Sequence, residues 1–307
     1  MTLTELKYVV AVAREKHFGR AAEACFVSQP TLSVAIKKLE EELDVKLFER
    51  GTAEVAVTPL GEQIVRQAQQ VLEQAAAIKE IAKLGKDPVA GPLRLGIIYT
   101  IGPYLLPDLV RQAIERVPQM PLMLQENFTT RLLEMLRTGE LDCAILAEPF
   151  PDAGLAVAPL YDEPFMAAVP AQHALARRKS VSAEELKNET MLLLGTGHCF
   201  RDHVLEVCPE YAHFSSDAEG IRKSFEGSSL ETIKYMVASG MGVTVVPQLS
   251  VPKEPQPHVR YVKFAPPAPT RRVVLVWRRT FPRYEAIAAL RNCVYACPLA
   301  GVKRLTG

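Results

Sequence analysis

The 307-residue sequence lacks several features that would assign it to a protein class at once. It has no apolar run of transmembrane length, and Leu3 to Ala13 is interrupted by charged residues and resembles no signal peptide. None of its six cysteines form a Cys-x-x-Cys pair, and the net charge is only +1. We therefore expect a cytoplasmic globular protein without a membrane partner, whose thiols are mostly reduced.

The most informative segment runs from Phe18 to Arg50 and predicts two short helices. An alanine-rich stretch precedes Ser28, which can cap a second helix with Pro30 in its first turn. In that helix one apolar stripe recurs at helical spacing, formed by Leu32, Ile36, Leu39 and Leu43. The opposite face is polar and cationic, and consists of Pro30, Thr31, Ser33, Val34, Lys37 and Lys38. Such a face suits a DNA major groove, although an ordinary solvated helix has the same pattern.

The flanking residues favour the DNA-binding interpretation. Thr2 and Glu5 are spaced as a capping box that opens a first helix. The stretches 45–50 and 55–58 are typical of two strands around a turn at Gly51-Thr52-Ala53. Three helices followed by such a wing form a winged helix-turn-helix.

Four motifs in this region resemble the N-terminal signature of LysR-type transcriptional regulators. They are His17-Phe18-Gly19-Arg20-Ala21-Ala22, Ser28-Gln29-Pro30-Thr31-Leu32-Ser33, Lys38-Leu39-Glu40-Glu41-Glu42-Leu43 and Leu47-Phe48-Glu49-Arg50. The resemblance implies that bases or phosphates are contacted by Gln29, Pro30, Thr31, Ser33 and Val34, with Lys37 beside them, and that Arg50 reaches a minor groove. It also implies two partners, double-stranded promoter DNA and RNA polymerase.

The DNA-binding region nevertheless has no basic excess. Residues 1–70 contain nine Lys and Arg against ten Asp and Glu. Because nonspecific affinity comes mainly from neutralising phosphates, we expect it to be modest here. Dimerisation and the shape of the DNA must then contribute strongly to binding.

Residues 58–86 predict one long helix that links two domains. Its apolar positions follow a spacing close to a heptad, namely Ile64, Ala68, Val71, Ala75, Ile78 and Ala82. This seam favours pairing with a second copy of the chain, although it could also pack on its own domain. With a second interface on the following domain, the chain would assemble as a homotetramer, a dimer of dimers.

From Pro92 onwards predicted strands and helices alternate, which indicates an α/β domain of parallel sheets with helices on both faces. The first set ends at a buried strand near Cys143, and a second set begins near Phe165. The family resemblance implies a two-lobed, periplasmic-binding-protein-like effector domain. We predict a DNA-binding domain at 1–58, a linker helix at 59–87 and an effector domain at 88–307. Lobe I would hold 88–163 and 268–307, and lobe II 164–267.

Ligands of such sheets bind where strands end and helices begin. Thr100, Thr129 and the stretch Thr196-Gly197-His198-Cys199 fall at predicted junctions of this kind, and Ser228-Ser229 starts a further helix. Each hydroxyl could equally be a plain helix cap. Their expected convergence on one cleft favours a binding site.

Two of the six cysteines stand apart from the others. Cys25, Cys143, Cys293 and Cys297 are typical of small buried apolar residues. Cys199 follows Gly197-His198 at a predicted helix start, where His198, Arg201 and His203 are expected to stabilise a thiolate. Cys208 lies nine residues on, about 13 Å along an unbroken helix. A disulfide needs Cα atoms within roughly 7 Å, so these thiols could bond only if the helix melted.

Three interpretations of these cysteines remain open from the residues alone. They are a redox switch, two inert thiols, or a zinc site that uses His198, Cys199, His203, Cys208 and His213, whose spacing fits no usual zinc pattern. The stretch Gly197 to Asp202, with Cys208, resembles the redox segment of peroxide-sensing LysR-type regulators. That resemblance implies oxidation of Cys199, resolution by Cys208, and a peroxide pocket of Thr100, Thr129, His198, Asp202 and Arg271, with Arg272 as the alternative arginine.

The sequence thus predicts a transcriptional regulator, not an enzyme, that senses hydrogen peroxide and switches the expression of oxidative-stress defence genes. We expect no metal and no cofactor. One alternative is a LysR-type regulator of a small organic effector. Another is a thiol peroxidase or disulfide oxidoreductase, although such a catalyst has no need of a helix-turn-helix.

Overall fold

The computed structural model describes residues 1–50, 55–84, 87, 89–209, 224–227 and 229–305. The chain divides into two compact units, Met1–Pro88 with Thr280–Pro282, and Val89–Arg279 with Arg283–Gly307. Among the described helices, none is long and apolar enough to cross a membrane.

The first unit is a winged helix-turn-helix followed by a long helix, as predicted. Its elements are α1 (Leu3–Glu15), α2 (Phe18–Ala24), α3 (Gln29–Leu43), β1 (Phe48–Arg50), β2 (Val55–Val57) and α4 (Pro59–Leu84). The two wing strands are shorter than predicted and pair antiparallel, with Phe48 opposite Val57. The predicted turn Gly51-Thr52-Ala53 lies outside the described residues.

Side-chain caps determine where two of these helices begin. The Thr2 hydroxyl accepts a hydrogen bond from the Glu5 amide, and the Glu5 carboxylate accepts one from the Thr2 amide. The Ser28 hydroxyl accepts from the Thr31 amide at 3.3 Å, with Pro30 in the first turn of α3. Both predicted caps are therefore confirmed.

The apolar stripe of α3 holds the DNA-binding unit together. Leu32, Ile36 and Leu39 are buried as predicted. Leu43 is 37 % exposed, so its predicted burial is wrong. The reason is that α3 ends there: Asp44 adopts a left-handed conformation with φ of 53°, and the chain turns away from the core.

The seam of α4 is divided between two environments. Ala68 and the neighbouring Val65 are buried in the core of the same unit, against which Ile64 also packs. Val71 and Ile78 are exposed at 37 % and 69 %. The prediction of one continuous self-pairing seam is therefore wrong for its first part, because α1 and α4 already pack together. The helix is described to Leu84, and the predicted end at Lys86 lies outside the described residues.

A buried carboxylate joins α3 to the wing. Glu40 Oε1 accepts hydrogen bonds from the Leu47 amide at 2.8 Å and the Phe48 amide at 3.3 Å, and Lys46 pairs with its other oxygen. Burial opposes the charge of Glu40, but these hydrogen bonds outweigh it and lower its pKa. Lys46 is thus engaged with Glu40 rather than free to meet a phosphate.

The second unit alternates strands and helices as predicted. Its elements are β3 (Leu93–Ile98), α5 (Gly102–Arg116), β4 (Leu122–Asn127), α6 (Thr129–Arg137), β5 (Cys143–Ala147), β6 (Leu155–Pro170), β7 (Ser180–Val181), α7 (Ala183–Leu186), β8 (Met191–Leu194), α8 (Cys199–Val207), β9 (Ser224–Gly227), α9 (Leu230–Ala238), β10 (Thr244–Pro247), β11 (Val259–Phe264), β12 (Thr270–Arg278), α10 (Tyr284–Ala296) and β13 (Lys303–Arg304). Short 3₁₀ turns occupy Ala174–Arg177 and Gln248–Ser250.

The sheets of this unit are mixed. In the first lobe β3 pairs in parallel with β4 and β5, and in the second β8 pairs in parallel with β9. Antiparallel pairs of β12 with β5 and β6, and of β6 with β10 and β11, extend the first set into one larger sheet, while β8 and β9 form a separate two-stranded sheet. The two-lobed α/β architecture is confirmed, but the expectation of wholly parallel sheets is wrong.

One long strand runs through both lobes. β6 pairs with β12 along its first part and with β10 and β11 along its second. The prediction that a new strand begins near Phe165 is therefore wrong. Pro159, which would interrupt a regular strand, lies at a bulge where Tyr161 faces Val273 and Pro159 faces Val274. The domain and lobe boundaries given above stay predictions.

The Glu40 contact generates a stability prediction. Glu40→Gln keeps the size of the side chain but removes its charge, and should lower the free energy of unfolding of the first unit by about 1–3 kcal/mol. The folded pKa lies below the ordinary value of 4.5, so the contribution is full above that value and lost as pH falls through the folded pKa. Hydrogen exchange at the Leu47 and Phe48 amides, at pH 7 and pH 3.5, measures it.

The matched control is Glu41→Gln, because that carboxylate is on the same helix but 63 % exposed. It should change the free energy of unfolding measured by exchange at these amides by less than about 0.5 kcal/mol. Equal effects of the two substitutions would contradict the prediction.

Candidate functional site

Cys199 is the first residue of α8 and follows a turn that only glycine adopts easily. Gly197 has φ of +96°, and a Cβ built there would lie 3.4 Å from the Phe128 ring. His198, which follows, occupies the cap position without a side-chain cap bond. The turn therefore brings the backbone of lobe II against Phe128 of lobe I and presents the Cys199 thiol at their junction.

Cys199 lines a small, partly open cavity at this junction. The residues around it come from the ends of β3 and β4 and the start of α8: Ile98, Tyr99, Thr100, Asn127, Phe128, Thr129, Gly197, His198 and Cys199. The cavity measures about 10 Å³, close to the least that holds one water molecule. The structure thus brings together four of the predicted residues, Thr100, Thr129, His198 and Cys199.

The Thr129 hydroxyl is available at this cavity. Its oxygen is buried and has no hydrogen-bond partner among the described groups. It is nevertheless near enough to the Cys199 thiol to lower the thiol pKa, although it lies outside hydrogen-bonding geometry with that sulfur. An unpaired buried hydroxyl is costly to leave unsatisfied, so a small polar molecule beside Cys199 would gain its hydrogen bond.

Arg271 does not line the cavity, but it binds Thr100, which does. Its guanidinium donates to the Thr100 hydroxyl at 2.8 Å and to the Thr100 carbonyl at 2.9 Å. The same group pairs with Glu163 at 2.8 Å, and both side chains are almost fully buried. Arg272 points to the other face of β12 and pairs with Asp162 near the surface. Of the two arginines left open by the sequence, Arg271 is the one next to the site.

Asp202 does not line the cavity, contrary to the prediction. Its side chain is exposed on α8, and its negative charge raises the pKa of Cys199. Three residues of helix place position 202 about 60° around the axis and about 4.5 Å along it from position 199, and the Asp202 side chain at that point is in solvent.

The expected lowering of the Cys199 pKa is not found in this conformation. Burial raises the pKa of the thiol, and the opposing effects of Thr129 and Arg271 do not cancel it. Arg201 instead donates to the Leu194 carbonyl at 2.9 Å. His203 Nε2 bonds to the Glu148 carbonyl at 2.7 Å, and burial lowers the pKa of its ring. These two side chains anchor α8 rather than stabilise a thiolate.

Cys208 closes the other end of the same helix. It is fully buried with Phe200 and Val204 in the apolar core of lobe II, and burial raises the pKa of its thiol to about 11. Both cysteines are unpaired in this state. An intact α8 keeps their sulfurs apart, since nine residues of helix span about 13 Å.

Three residues of the site, Tyr99, Phe128 and Glu163, were not predicted from the sequence. The ring of His198 packs edge-on against Tyr99 at 5.9 Å and Phe128 at 4.8 Å, between ring centroids, and these aromatics roof the cavity. Each directly precedes a predicted threonine, which was a usable signal. Glu163 was missed as well, although a carboxylate in the apolar run before Phe165 is unusual.

The geometry of the described residues supports neither a functional role for the other cysteines nor the zinc alternative. Cys143, Cys293 and Cys297 are buried, and Cys25 is half-buried at the end of α2. His203 is engaged with Glu148, and His213 lies outside the described residues. Within the described ranges no three His, Cys, Asp or Glu side chains converge as a metal site.

The predicted DNA face is exposed on α3. Gln29, Pro30, Thr31, Val34 and Lys37 are exposed. Ser33 is half-buried, Lys37 lies 3.6 Å from Glu41, and the Arg50 side chain lies outside the described residues. Their contacts with DNA stay a prediction.

Comparison with known proteins assigns both parts of the chain. Residues 3–62 match the model of the bacterial regulatory helix-turn-helix protein, lysR family, and residues 86–296 match that of the LysR substrate binding domain. The hydrogen peroxide-inducible genes activator of Pectobacterium carotovorum is 41 % identical over 292 residues, 94 % of this chain and 95 % of the relative. The DNA-binding transcriptional dual regulator OxyR of Escherichia coli is 40 % identical over 292 residues, 94 % of each chain.

Solved structures agree with this assignment. A full-length C199D variant of OxyR from Pseudomonas aeruginosa has a TM-score of 0.80 and 48 % identity, covering 100 % of this chain and 98 % of that one. A reduced form of OxyR from Neisseria meningitidis has a TM-score of 0.66 and 40 % identity, covering 70 % of this chain and 99 % of that one. The chain belongs to the LysR family of bacterial helix-turn-helix regulators.

Proposed function

We propose that this protein is a DNA-binding transcriptional regulator that senses hydrogen peroxide through Cys199 and Cys208 and switches oxidative-stress defence genes. The observation that carries the proposal is the Cys199 cavity. Its volume of about 10 Å³ is close to the least that holds one water molecule, so it leaves room only for a very small polar molecule and none for an organic effector. Relatives that share about 40 % of the sequence are named hydrogen peroxide-inducible genes activators.

The surrounding hydroxyls suit a peroxide. The Thr129 oxygen has no partner among the described groups, and the Thr100 oxygen accepts from Arg271, so that the Thr100 proton remains free to be donated. We assign these two groups to holding the peroxide oxygens beside the sulfur. His198, buried next to Cys199, is assigned to placing or relaying the proton, with Asp202 as a more distant helper.

The chemistry proceeds in two balanced steps. The Cys199 thiolate attacks one peroxide oxygen, the O–O bond breaks, and the products are a sulfenic acid and hydroxide, which takes up a proton as water. The Cys208 thiol then attacks the sulfenic sulfur and releases a second water as the disulfide forms. Because burial raises the pKa of Cys199, only a small fraction is thiolate at neutral pH.

Disulfide formation requires α8 to unfold. Cys208 must leave a fully buried position that it shares with Phe200 and Val204, and the anchors of Arg201 and His203 must break. The refolded segment would alter the surface of the effector domain. We infer that this changes contacts between subunits and respaces the paired DNA-binding domains.

A regulator fits these observations better than a peroxidase. The chain has no Cys-x-x-Cys pair, and a peroxide-consuming catalyst would have no need of a helix-turn-helix domain. We infer that it works in the cytoplasm, where promoter DNA and RNA polymerase are its partners. Exposed Val71 and Ile78 on α4 support pairing through the linker, and the effector domains would supply the second interface of a dimer of dimers.

The redox assignment is tested by substituting each cysteine. A stoichiometric peroxide pulse should join Cys199 to Cys208, Cys208→Ser should stop at a sulfenic acid or mixed disulfide, and Cys199→Ser should not react at low peroxide. The rate should rise with pH across the neutral range, because the thiolate fraction grows as pH approaches the raised pKa. Thiol trapping with mass spectrometry measures all four. A DNA footprint that still shifts with peroxide in Cys199→Ser would rule out this sensor.

The DNA-binding assignment is tested on the exposed start of α3. Gln29→Ala or Thr31→Ala should weaken binding to the specific operator by about 1–3 kcal/mol and leave scrambled DNA unaffected, because base contacts exist only at the correct site. Fluorescence anisotropy with both DNAs measures the difference. Equal losses on both would mean that these side chains contact only phosphates.

The assembly is tested by light scattering at micromolar concentration, which should give the mass of four chains. Val71→Glu, on the exposed part of the α4 seam, should lower that mass, since a charge would be buried in the helix pair. Val34→Glu is the control, because that residue is 68 % exposed on the DNA face of α3. A monodisperse monomer for the unsubstituted protein is the result incompatible with this assembly.

A further inference from the structure

A second and much larger cavity lies beside α8. Its volume is about 510 Å³, within the range of small-molecule sites, and none of its lining residues belongs to the Cys199 cavity. One wall consists of His203, Glu206 and Val207 of α8. The other walls include Ala183 at the start of α7 and the connection between β11 and β12.

The lining of this cavity mixes apolar and polar residues and carries a single negative group among them. Phe165, Phe264 and the prolines at 266, 267 and 269 line it together with Ser182 and Thr270. The ionisable side chains among the described lining residues are Glu206 and His203, with no lysine or arginine. Burial lowers the pKa of His203, so its ring is neutral at neutral pH. A compact apolar body that carries one positive charge complements these walls.

His203 closes this wall without offering its free nitrogen to a ligand. Its Nε2 carries the proton that it shares with the Glu148 carbonyl, so its Nδ1 keeps a lone pair. That nitrogen is buried, has no partner among the described groups and presents no surface to the cavity. The Glu206 carboxylate is therefore the group that would select a cation.

We propose that this cavity binds a small aromatic amine, and that the bound amine opposes oxidation of the protein. The second part rests on the proposed peroxide-sensing function. His203, Glu206 and Val207 all lie between Cys199 and Cys208, in the helix that must unfold for the disulfide to form. A ligand that needs this wall binds only the helical, reduced state and stabilises it by mass action.

Binding is tested on the reduced full-length protein with two probes of matched shape and opposite charge, 2-phenylethylamine and 3-phenylpropionate. Isothermal titration should show that the amine binds at least about tenfold more tightly than the carboxylate. Glu206→Gln should abolish this preference, because it removes the charge and keeps the shape. Ala183→Trp should weaken the amine at least about tenfold by filling the cavity.

The control is Glu184→Gln, which removes an exposed carboxylate next to Ala183 that does not line the cavity. It should leave the affinity for the amine unchanged. Equal binding of the two probes, no binding of the amine at millimolar concentration, or an equal effect of Glu184→Gln and Glu206→Gln would each overturn the proposed site.

The coupling to oxidation is tested in a thiol–disulfide redox buffer. At an amine concentration of ten times Kd, the ratio of Cys199–Cys208 disulfide to dithiol should fall about 11-fold, which raises the midpoint potential by about 30 mV. An unchanged ratio despite measured binding would overturn the coupling. If no such disulfide forms even without the amine, the peroxide-sensing proposal has failed instead, and the titration alone decides the amine site.

Discussion

The buried ion pair between Glu163 and Arg271 is the constraint on which the effector domain depends. The two residues face each other on β6 and β12, the strands that connect the lobes. Arg271 also holds both polar groups of Thr100 and lies over the Phe200 ring at 5.2 Å, while Glu163 accepts from the Leu249 amide. A buried ion pair is tolerated only when its remaining donors and acceptors are satisfied, as they are here. One guanidinium thus fixes the Cys199 cavity against α8.

The same packing explains how a stable helix can serve as a switch. α8 is held by apolar burial on one side, with Phe200, Val204 and Cys208, and by the hydrogen bonds of Arg201 and His203 to carbonyls. No disulfide holds it, since Cys199 and Cys208 are both unpaired. A Cys199–Cys208 disulfide could form only if this packing were disrupted. The balance between the disulfide and this packing then decides whether α8 stays helical.

The DNA-binding unit presents few cationic side chains on the DNA face of α3. Lys46 is engaged with Glu40 and Lys37 lies near Glu41, so few cations of the described α3 face remain for phosphates. Glu40 instead ties the wing to the helix. Such a unit gains little affinity from electrostatics alone, and we expect its specificity to come from the polar start of α3 acting in pairs.

The sequence by itself determined the local features, because caps, apolar spacing and strand–helix alternation depend on neighbouring residues. Ser28, the stripe of Leu32, Ile36 and Leu39, and the position of Cys199 at a helix start all followed from it. Only the tertiary structure decided which groups meet across the lobes. It selected Arg271 over Arg272, removed Asp202 from the cavity and revealed Glu163 as a partner. It also reversed the expected pKa shift of Cys199, because burial depends on every surrounding element at once.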